Sequence, residues 1–395
     1  MASYPTSRDG TPSAATLRSC FDAVTPSTVG LEEELMLLDG ETLDLLPRAG
    51  AVLARTGGDG RFKLELPAAQ LEIVLPPAAT VAESVSALAD ARRALTAAAG
   101  GVGVLATAGA HPFAEPLGAL NSGERYDAIA REYGDVARCQ LVCALQVHVA
   151  VGGHDRTLGV YNALRSYLPE LAALAANAPF HAGRDTGLAS VRPKVAELLP
   201  RQGVPPAISS WEAFAEALRW GAAAGGTGEP RRWWWELRPH VAHGTLEVRV
   251  PDAQATVADA GAVAAVVHAL TAWLAQRWDA GDLAAAPDPS WRIAENRWAA
   301  CRHGLDAQLA DLRTGERVPA RELIAGRLDA LAATARALGC EAELRDARRL
   351  LAANGAERQR MAAGEGGARA AARWLVEAYA PAPAPAPATV AAAGG

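Results

Sequence analysis

The sequence predicts an α+β fold in which an antiparallel β-sheet carries carboxylates on one face and helices cover the other. Three observations lead there. Segments alternating polar and apolar residues recur through the chain without a repeat or an internal linker; the last third reads almost wholly as helix; and the polar side of the alternating segments is rich in acids.

Residues 1–26 are polar and turn-rich and are expected to be disordered. Strand-like segments follow at 28–38, 70–75, 102–108, 143–152, 233–238 and 245–250. Helical periodicity falls at 81–98, 124–138, 157–176, 211–224, 256–278, 291–313, 320–338 and 342–378. In WWWELRPHVAHGTLEVRV (233–250), His243-Gly244 supplies the turn of a hairpin, and Gly225-Gly226 with Gly228 and Pro230 marks a loop before it. A Pro/Ala tail, 380–395, has no means of forming a core. The expected organisation is therefore a single domain over 27–379 between two disordered ends.

Half of the 395 residues are hydrophobic, so a core is easily supplied. A net charge of -6 excludes a general nucleic-acid binder, because phosphate tracking needs a clustered cationic surface. Lysine occurs only at Lys63 and Lys194, which reads as composition bias towards arginine. The five cysteines are odd in number and scattered, without a CxxC pair, and the N-terminus lacks a signal-type apolar core; a reducing cytoplasm is the expected location. The apolar stretch 260–276 contains His268 and Gln276 and is short for a span, so a buried helix is expected and no membrane partner.

Side chains two apart in a strand share a face. Glu32 with Glu34, Gln70 with Glu72, Gln146 with His148, Glu236 with Arg238, and Glu247 with Arg249 each form such a pair, backed by residues such as Leu31, Leu71, Val147 and Val248. A solvent-facing sheet mixes Thr, Ser, Lys and Arg; this list is rich in carboxylates. Gathered on one surface, these carboxylates repel one another unless cations sit among them. Magnesium, a hard ion that bridges carboxylates to nucleotide phosphates, is the natural candidate, and Arg249 beside it suits phosphoryl transfer. The sequence has no Walker loop, its GVGVLA (101–106) lies before a strand rather than after one, and no GxSxG elbow occurs.

Eight motifs in order then resemble the type-2 glutamate-cysteine ligases, or carboxylate-amine ligases: TVGLEEELMLLD (28–39), LELPAAQLEIVLPP (64–77), GAHPFA (109–114), RYDAIAREYG (125–134), QLVCALQVHVAVG (140–152), ANAPFHAGRDTGLASVR (176–192), ELRPHVAHGTLEVRVPDAQ (236–254) and ENRWAACRHGLDA (295–307). The resemblance implies a glutamine-synthetase-like sheet and an ATP-dependent carbon-nitrogen ligase that forms an amide through an acyl phosphate. Its small-molecule substrates would be glutamate or another carboxylate and an amine such as cysteine. It implies Mg2+, with Mn2+ as the alternative, held by Glu32, Glu34, Glu65, Glu72, His148 and Glu247. Arg249 would stabilise the transferring phosphoryl, with Glu247 also catalytic. Arg184, Ser190, Arg192, Arg238 and Asn296 would lie near substrate or nucleotide, and a homodimer is the expected assembly.

The sequence departs from the family at one position, where HVHV becomes Gln146-Val147-His148-Val149. A neutral amide binds divalent metal less well than imidazole, so the alternative to a ligase is a catalytically impaired nucleotide- or amino-acid-binding relative. A metal-dependent phosphohydrolase on the same carboxylates is the third reading. His111 is expected either to line the site or to serve a pre-proline turn. His181, His240, His243 and His303 are expected at the surface or at helix ends. Of Trp233, Trp234 and Trp235, one or two rings are expected in the core, and Cys139 and Cys143 are expected to serve packing.

Overall fold

In the computed structural model, which describes residues 11–225, 228, 232–283 and 286–380, the alternating segments pair into a seven-stranded antiparallel sheet. Its strands are β1 (Val29–Leu38), β2 (Phe62–Leu64), β3 (Gln70–Val74), β4 (Val104–Ala106) and β5 (Leu145–Val149). Two short strands, β6 (Phe180–His181) and β7 (Arg184–Asp185), form a separate ladder; β8 (Leu237–His240) and β9 (Thr245–Val248) complete the main sheet, and β10 (Gln308–Ala310) pairs with β11 (Arg317–Pro319). The order is β2-β3-β1-β5-β9-β8, with β4 on the C-terminal end of β1. β1 is therefore the strand on which the others are assembled.

The back of the sheet is hydrocarbon: Leu31, Leu35, Leu71, Ile73, Leu145, Val147, Leu237, Leu246 and Val248 are all fully buried. Helices Val81–Ala99 and Val257–Asp279 pack on it beneath β1 and β5. Each starts at a threonine, Thr80 or Thr256, whose hydroxyl accepts a first-turn N–H, and Glu83 completes a capping box with Thr80. Val257–Asp279 is long and apolar enough to cross a membrane by length and composition. Here its surface is taken up by helices Val81–Ala99, His154–Leu164, Ala320–Ala337 and Glu341–Ala352.

Several expectations are corrected. Residues 1–26 do not form one disordered segment: Ala14–Asp22 is a helix capped by Ser13, and its apolar spacing puts Leu17 and Phe21 in the core, Phe21 stacking on Trp211 at 4.8 Å. The tail from 381 onward, residues 1–10 and parts of the 225–230 loop lie outside the described residues. The strand expected at 233–238 starts only at Leu237, because Trp233 turns in against Phe214 and Trp235 instead of alternating. Pro239 is tolerated in β8 because that strand is an edge. The helix expected to reach 313 ends at His303, where Gly304 takes a positive φ of 56°, and the chain enters β10. The helix expected over 342–378 is cut at Asn354, which caps a new helix, and again at Gly364.

One polar residue of β1 points to the apolar side. Glu33 and Arg92 are both fully buried, and the guanidinium grips the carboxylate with bonds of 2.8 and 2.6 Å. Arg92 also donates to the Gln254 and Ala255 carbonyls, and its guanidinium lies 4.6 Å from the Tyr379 ring. The pair thus ties β1 to helix Val81–Ala99, to the segment before Val257–Asp279 and to the C-terminal helix. Arg92→Ala leaves the Glu33 charge buried and alone and should cost about 3–5 kcal/mol in urea denaturation. Replacing both partners by leucine should cost clearly less than either single change, since no lone charge remains.

Candidate functional site

Directly opposed residues of an antiparallel ladder share a face, so the registers set polar rows across the front of the sheet. Lys63, Glu72 and Glu34 form one row; Glu32 and Gln146 begin a second; Gly30, His148, Glu247 and Arg238 form a third. These rows gather two triads whose ligand-type atoms lie within 4.8 Å of one another: Glu32, His148 and Glu247, and Glu34, Glu65 and Glu72. Glu65 reaches the second triad from the β2–β3 turn, where Asn121 Nδ2 bonds its carbonyl at 2.7 Å.

The two triads differ electrostatically. Burial pushes Glu247 up, but Arg238 and Arg249 outweigh it and hold the carboxyl well below the usual range. Glu32 is held at about 2, burial being overcome by His148 and Arg249. In the other triad burial and mutual repulsion win. Glu34 is raised, Glu65 is pushed up to about 7 by burial and by Glu34, and Glu72 lies well above its ordinary value from burial and the charges of Glu65, Glu32 and Glu34.

These residues fit divalent cations. His148 Nδ1 is 3.0 Å from Thr245 Oγ1; if it carries the proton, Nε2 keeps its lone pair. That Nε2 is buried without a hydrogen-bond partner, 3.7 Å from Glu32 and 4.0 Å from Glu247. The all-oxygen triad is hard and short of positive charge, which suits Mg2+.

Arg249 donates from Nη1 to both Glu247 Oε1 and Gln146 Oε1. Arg238 also holds Glu247, through Nε and, at 3.0 Å, through Nη2. Ser190 Oγ and Arg192 Nε converge on Asp252 Oδ1 at 3.0 and 2.7 Å, and Arg192 Nη2 bonds the Arg249 carbonyl at 3.0 Å. Arg192 therefore reaches the site, while Ser190 supports it from behind. Two expected residues lie elsewhere. Arg184 is exposed in β7, in a hairpin that Arg360 holds through Asp185. Asn296 spends its amide on the Ala310 backbone and lines a separate cavity with Tyr167 and Asp311.

Each triad opens into its own cavity. On the His148 side a space of about 360 Å³ is lined by Val24, Leu31, Leu75, Pro77, Ala78 and Ala150, and Gly30 leaves its floor bare. On the Glu65 side a space of about 150 Å³ is lined by Arg125, Arg192, Arg249, Gln140, Trp234 and Glu236. Glu236 is neutralised there by a fork from Arg297, with bonds of 2.7 to 3.0 Å.

His240 is buried and not at the surface, whereas His243 is exposed as expected; their rings stack at 4.3 Å and meet His148 edge-on, and desolvation depresses both, His240 to about 3. Their place on the hairpin beside His148 follows from register, which spacing alone does not reveal. His111 serves its turn, accepting the Phe113 and Ala114 N–H groups on Nδ1. Asp252 and Arg125 were not singled out by sequence; the only signal was their position inside VPDAQ and RYDAIAREYG. Gln146 fills both ends of its amide, donating to Glu34 Oε1 at 2.8 Å and accepting from Arg249.

Residues 28–372 match the family described as Glutamate-cysteine ligase family 2. A Rubrobacter xylanophilus protein provisionally named glutamate--cysteine ligase 2-3 is 40% identical over 367 residues, 91% of this chain and 99% of the relative. A Thermobifida fusca protein provisionally named glutamate--cysteine ligase 2 is 35% identical over 332 residues, 82% of this chain and 83% of its own. Two solved structures share the fold at low identity. Glutamate--cysteine ligase from Francisella tularensis, solved in complex with AMP, has a TM-score of 0.65 at 12% identity over 91% of this chain and 90% of its own. A bifunctional glutathione synthetase from Pasteurella multocida has 0.63 at 14% over 92% of this chain and 53% of its own.

The raised Glu65 has a consequence for stability. Its folded value of about 7 lies above the ordinary 4.5, so the folded chain keeps a proton that the unfolded chain releases. That contribution is complete below the ordinary value and is lost as pH climbs towards the folded one. In a chelating buffer the melting temperature of the wild type should therefore fall relative to Glu65→Gln as pH rises from about 5 to about 8. Parallel curves would mean that Glu65 carries its charge without strain.

Proposed function

The chain belongs to the glutamate-cysteine ligase 2 family, and from that premise we propose that it is an ATP- and magnesium-dependent carboxylate-amine ligase acting in the cytoplasm. The observation that carries the proposal is the placing of Arg249 and two metal-type triads between an apolar cavity and an arginine-lined one. The apolar cavity suits a nucleobase, and the cavity with Arg125, Arg192 and Arg249 suits an anionic acid such as glutamate. The fold neighbour's complex with AMP is in keeping with a nucleotide here.

Glu32, His148 and Glu247 would hold one cation and Glu34, Glu65 and Glu72 a second; when bound, Mg2+ neutralises charge on the triphosphate and on the moving phosphoryl group. An oxygen of the acid attacks the γ-phosphorus, the bond from that phosphorus to the ADP oxygen breaks, and an acyl phosphate forms. Arg249, aimed by Glu247 and Gln146, donates N–H groups to the phosphoryl oxygens as their charge is redistributed. Arg192, fixed by Asp252, adds positive charge at the arginine-lined end. The amine nitrogen then attacks the acyl carbon, the carbon–oxygen bond to phosphate breaks, and the nitrogen releases a proton as the amide forms. Cysteine is the acceptor the family name points to, and the acceptor is the least constrained part of the reading. The bonds of Gln146 to Glu34 and Arg249 are in keeping with the ligase reading, and the alternative is a catalytically impaired relative that binds nucleotide or amino acid without turnover.

With ATP, Mg2+ and hydroxylamine, glutamate should give a hydroxamate together with ADP, detected by its ferric complex. Hydroxamate from another acid alone would keep the chemistry and remove glutamate. Glu247→Gln should lower ADP formation by about 100-fold or more, because it loosens both arginines and one cation ligand. ADP formation at wild-type rate in that variant would remove Glu247 from the site.

A further inference from the structure

Gln146 occupies the point where the two triads meet. It is 3% exposed, faces Glu32 in the β1–β5 register, and spans from Glu34 of one triad to Arg249, which holds Glu247 of the other. The orientation of its amide is fixed by its neighbours. The NH2 faces a carboxylate and the carbonyl faces a guanidinium; the flipped amide would meet a repulsion at each end.

Both partners are anchored on their far sides. Glu34 Oε2 accepts the Ala144 N–H at 2.7 Å, and the Arg249 backbone is held by its N–H to the Glu236 carbonyl at 2.8 Å and by Arg192. The free variable is the gap between the Glu34 carboxylate and the Arg249 guanidinium, which attract each other in a partly buried setting. Without a spacer the guanidinium is drawn to Glu34, away from Glu247 and onto oxygens that face Glu65 and Glu72.

We propose that Gln146 is a positioning residue, a neutral spacer that joins the two triads by holding Arg249 and Glu34 at once while keeping them from pairing directly. The inference rests on the reading of Arg249 and Glu34 given above. A side chain that replaces Gln146 must offer a donor towards Glu34 and an acceptor towards Arg249. Neutral histidine offers both; glutamate lacks the donor and adds a carboxylate; leucine offers neither.

The test compares Q146L and Q146H at pH about 8, where imidazole is neutral, with R249K and E34Q as references. Q146L should lower kcat for ADP formation by about 100-fold and leave KM for ATP within about threefold. Its Mn2+ stoichiometry, read by electron paramagnetic resonance, and its melting temperature should match the wild type. Q146H should recover kcat to within about tenfold of wild type, and Q146L should add less than about threefold to the loss already present in R249K. The proposal is overturned if Q146L keeps kcat within about threefold of wild type while R249K and E34Q are crippled. It is overturned equally if Q146L adds its full loss on the R249K background, or if Q146L and Q146H both lose melting temperature and Mn2+ sites, which marks a structural role. Wild-type rates in R249K and E34Q would instead remove the reading of the site beneath it.

Discussion

The constraint on which the rest of the structure depends is electrostatic. Five carboxylates, Glu32, Glu34, Glu65, Glu72 and Glu247, gather on one face of one sheet, Glu72 and Glu247 buried and the other three partly buried, and like charges that close must be compensated or neutralised. The protein compensates one triad internally, with Arg238 and Arg249 on Glu247. In the other, burial and mutual repulsion leave Glu65 and Glu72 raised, and a cation among them would relieve that repulsion. That asymmetry sets a triad partly balanced by arginines beside one dominated by burial and mutual repulsion.

Such a face has to be held rigidly, because a shift of strand register would scatter the acids. β1 supplies the rigidity: it pairs with β3, β4 and β5, and on its hidden side the Glu33–Arg92 pair fastens it to two helices and to the segment before a third. The run of three glutamates thus has two uses. Glu32 and Glu34 face the site, and Glu33, between them, anchors the strand through the core. Ala144, whose N–H fixes Glu34, and Thr245, which orients His148, are backbone and side-chain details of neighbouring strands that convert this stiffness into aimed ligand atoms.

Much of this was legible in the sequence because it follows from strand alternation. The pairs Glu32/Glu34, Gln146/His148 and Glu247/Arg249 define a common face once they lie in strands, and the ordered motifs carried the family. Long-range pairing was less legible. The burial of His240 against His148, the placing of Arg184 away from the site, and the use of Asn296 as a backbone clip for Ala310 all depend on contacts between separate segments. Asp252 was missed because a lone acid after a strand carries no periodic signal, although three groups converge on it. Helix ends failed for a local reason: Gly304, Asn354 and Gly364 interrupt segments whose apolar periodicity continues past them.

The central claim is that an acid oxygen bonds to phosphorus before the amide forms. The most direct measurement is to supply glutamate labelled with 18O in its γ-carboxylate, together with ATP, Mg2+ and an accepted amine, and to weigh the phosphate released. The account predicts one labelled oxygen in each phosphate, carried over when the acyl phosphate is cleaved at carbon. Unlabelled phosphate alongside amide product that keeps all the label still possible in it would contradict the account.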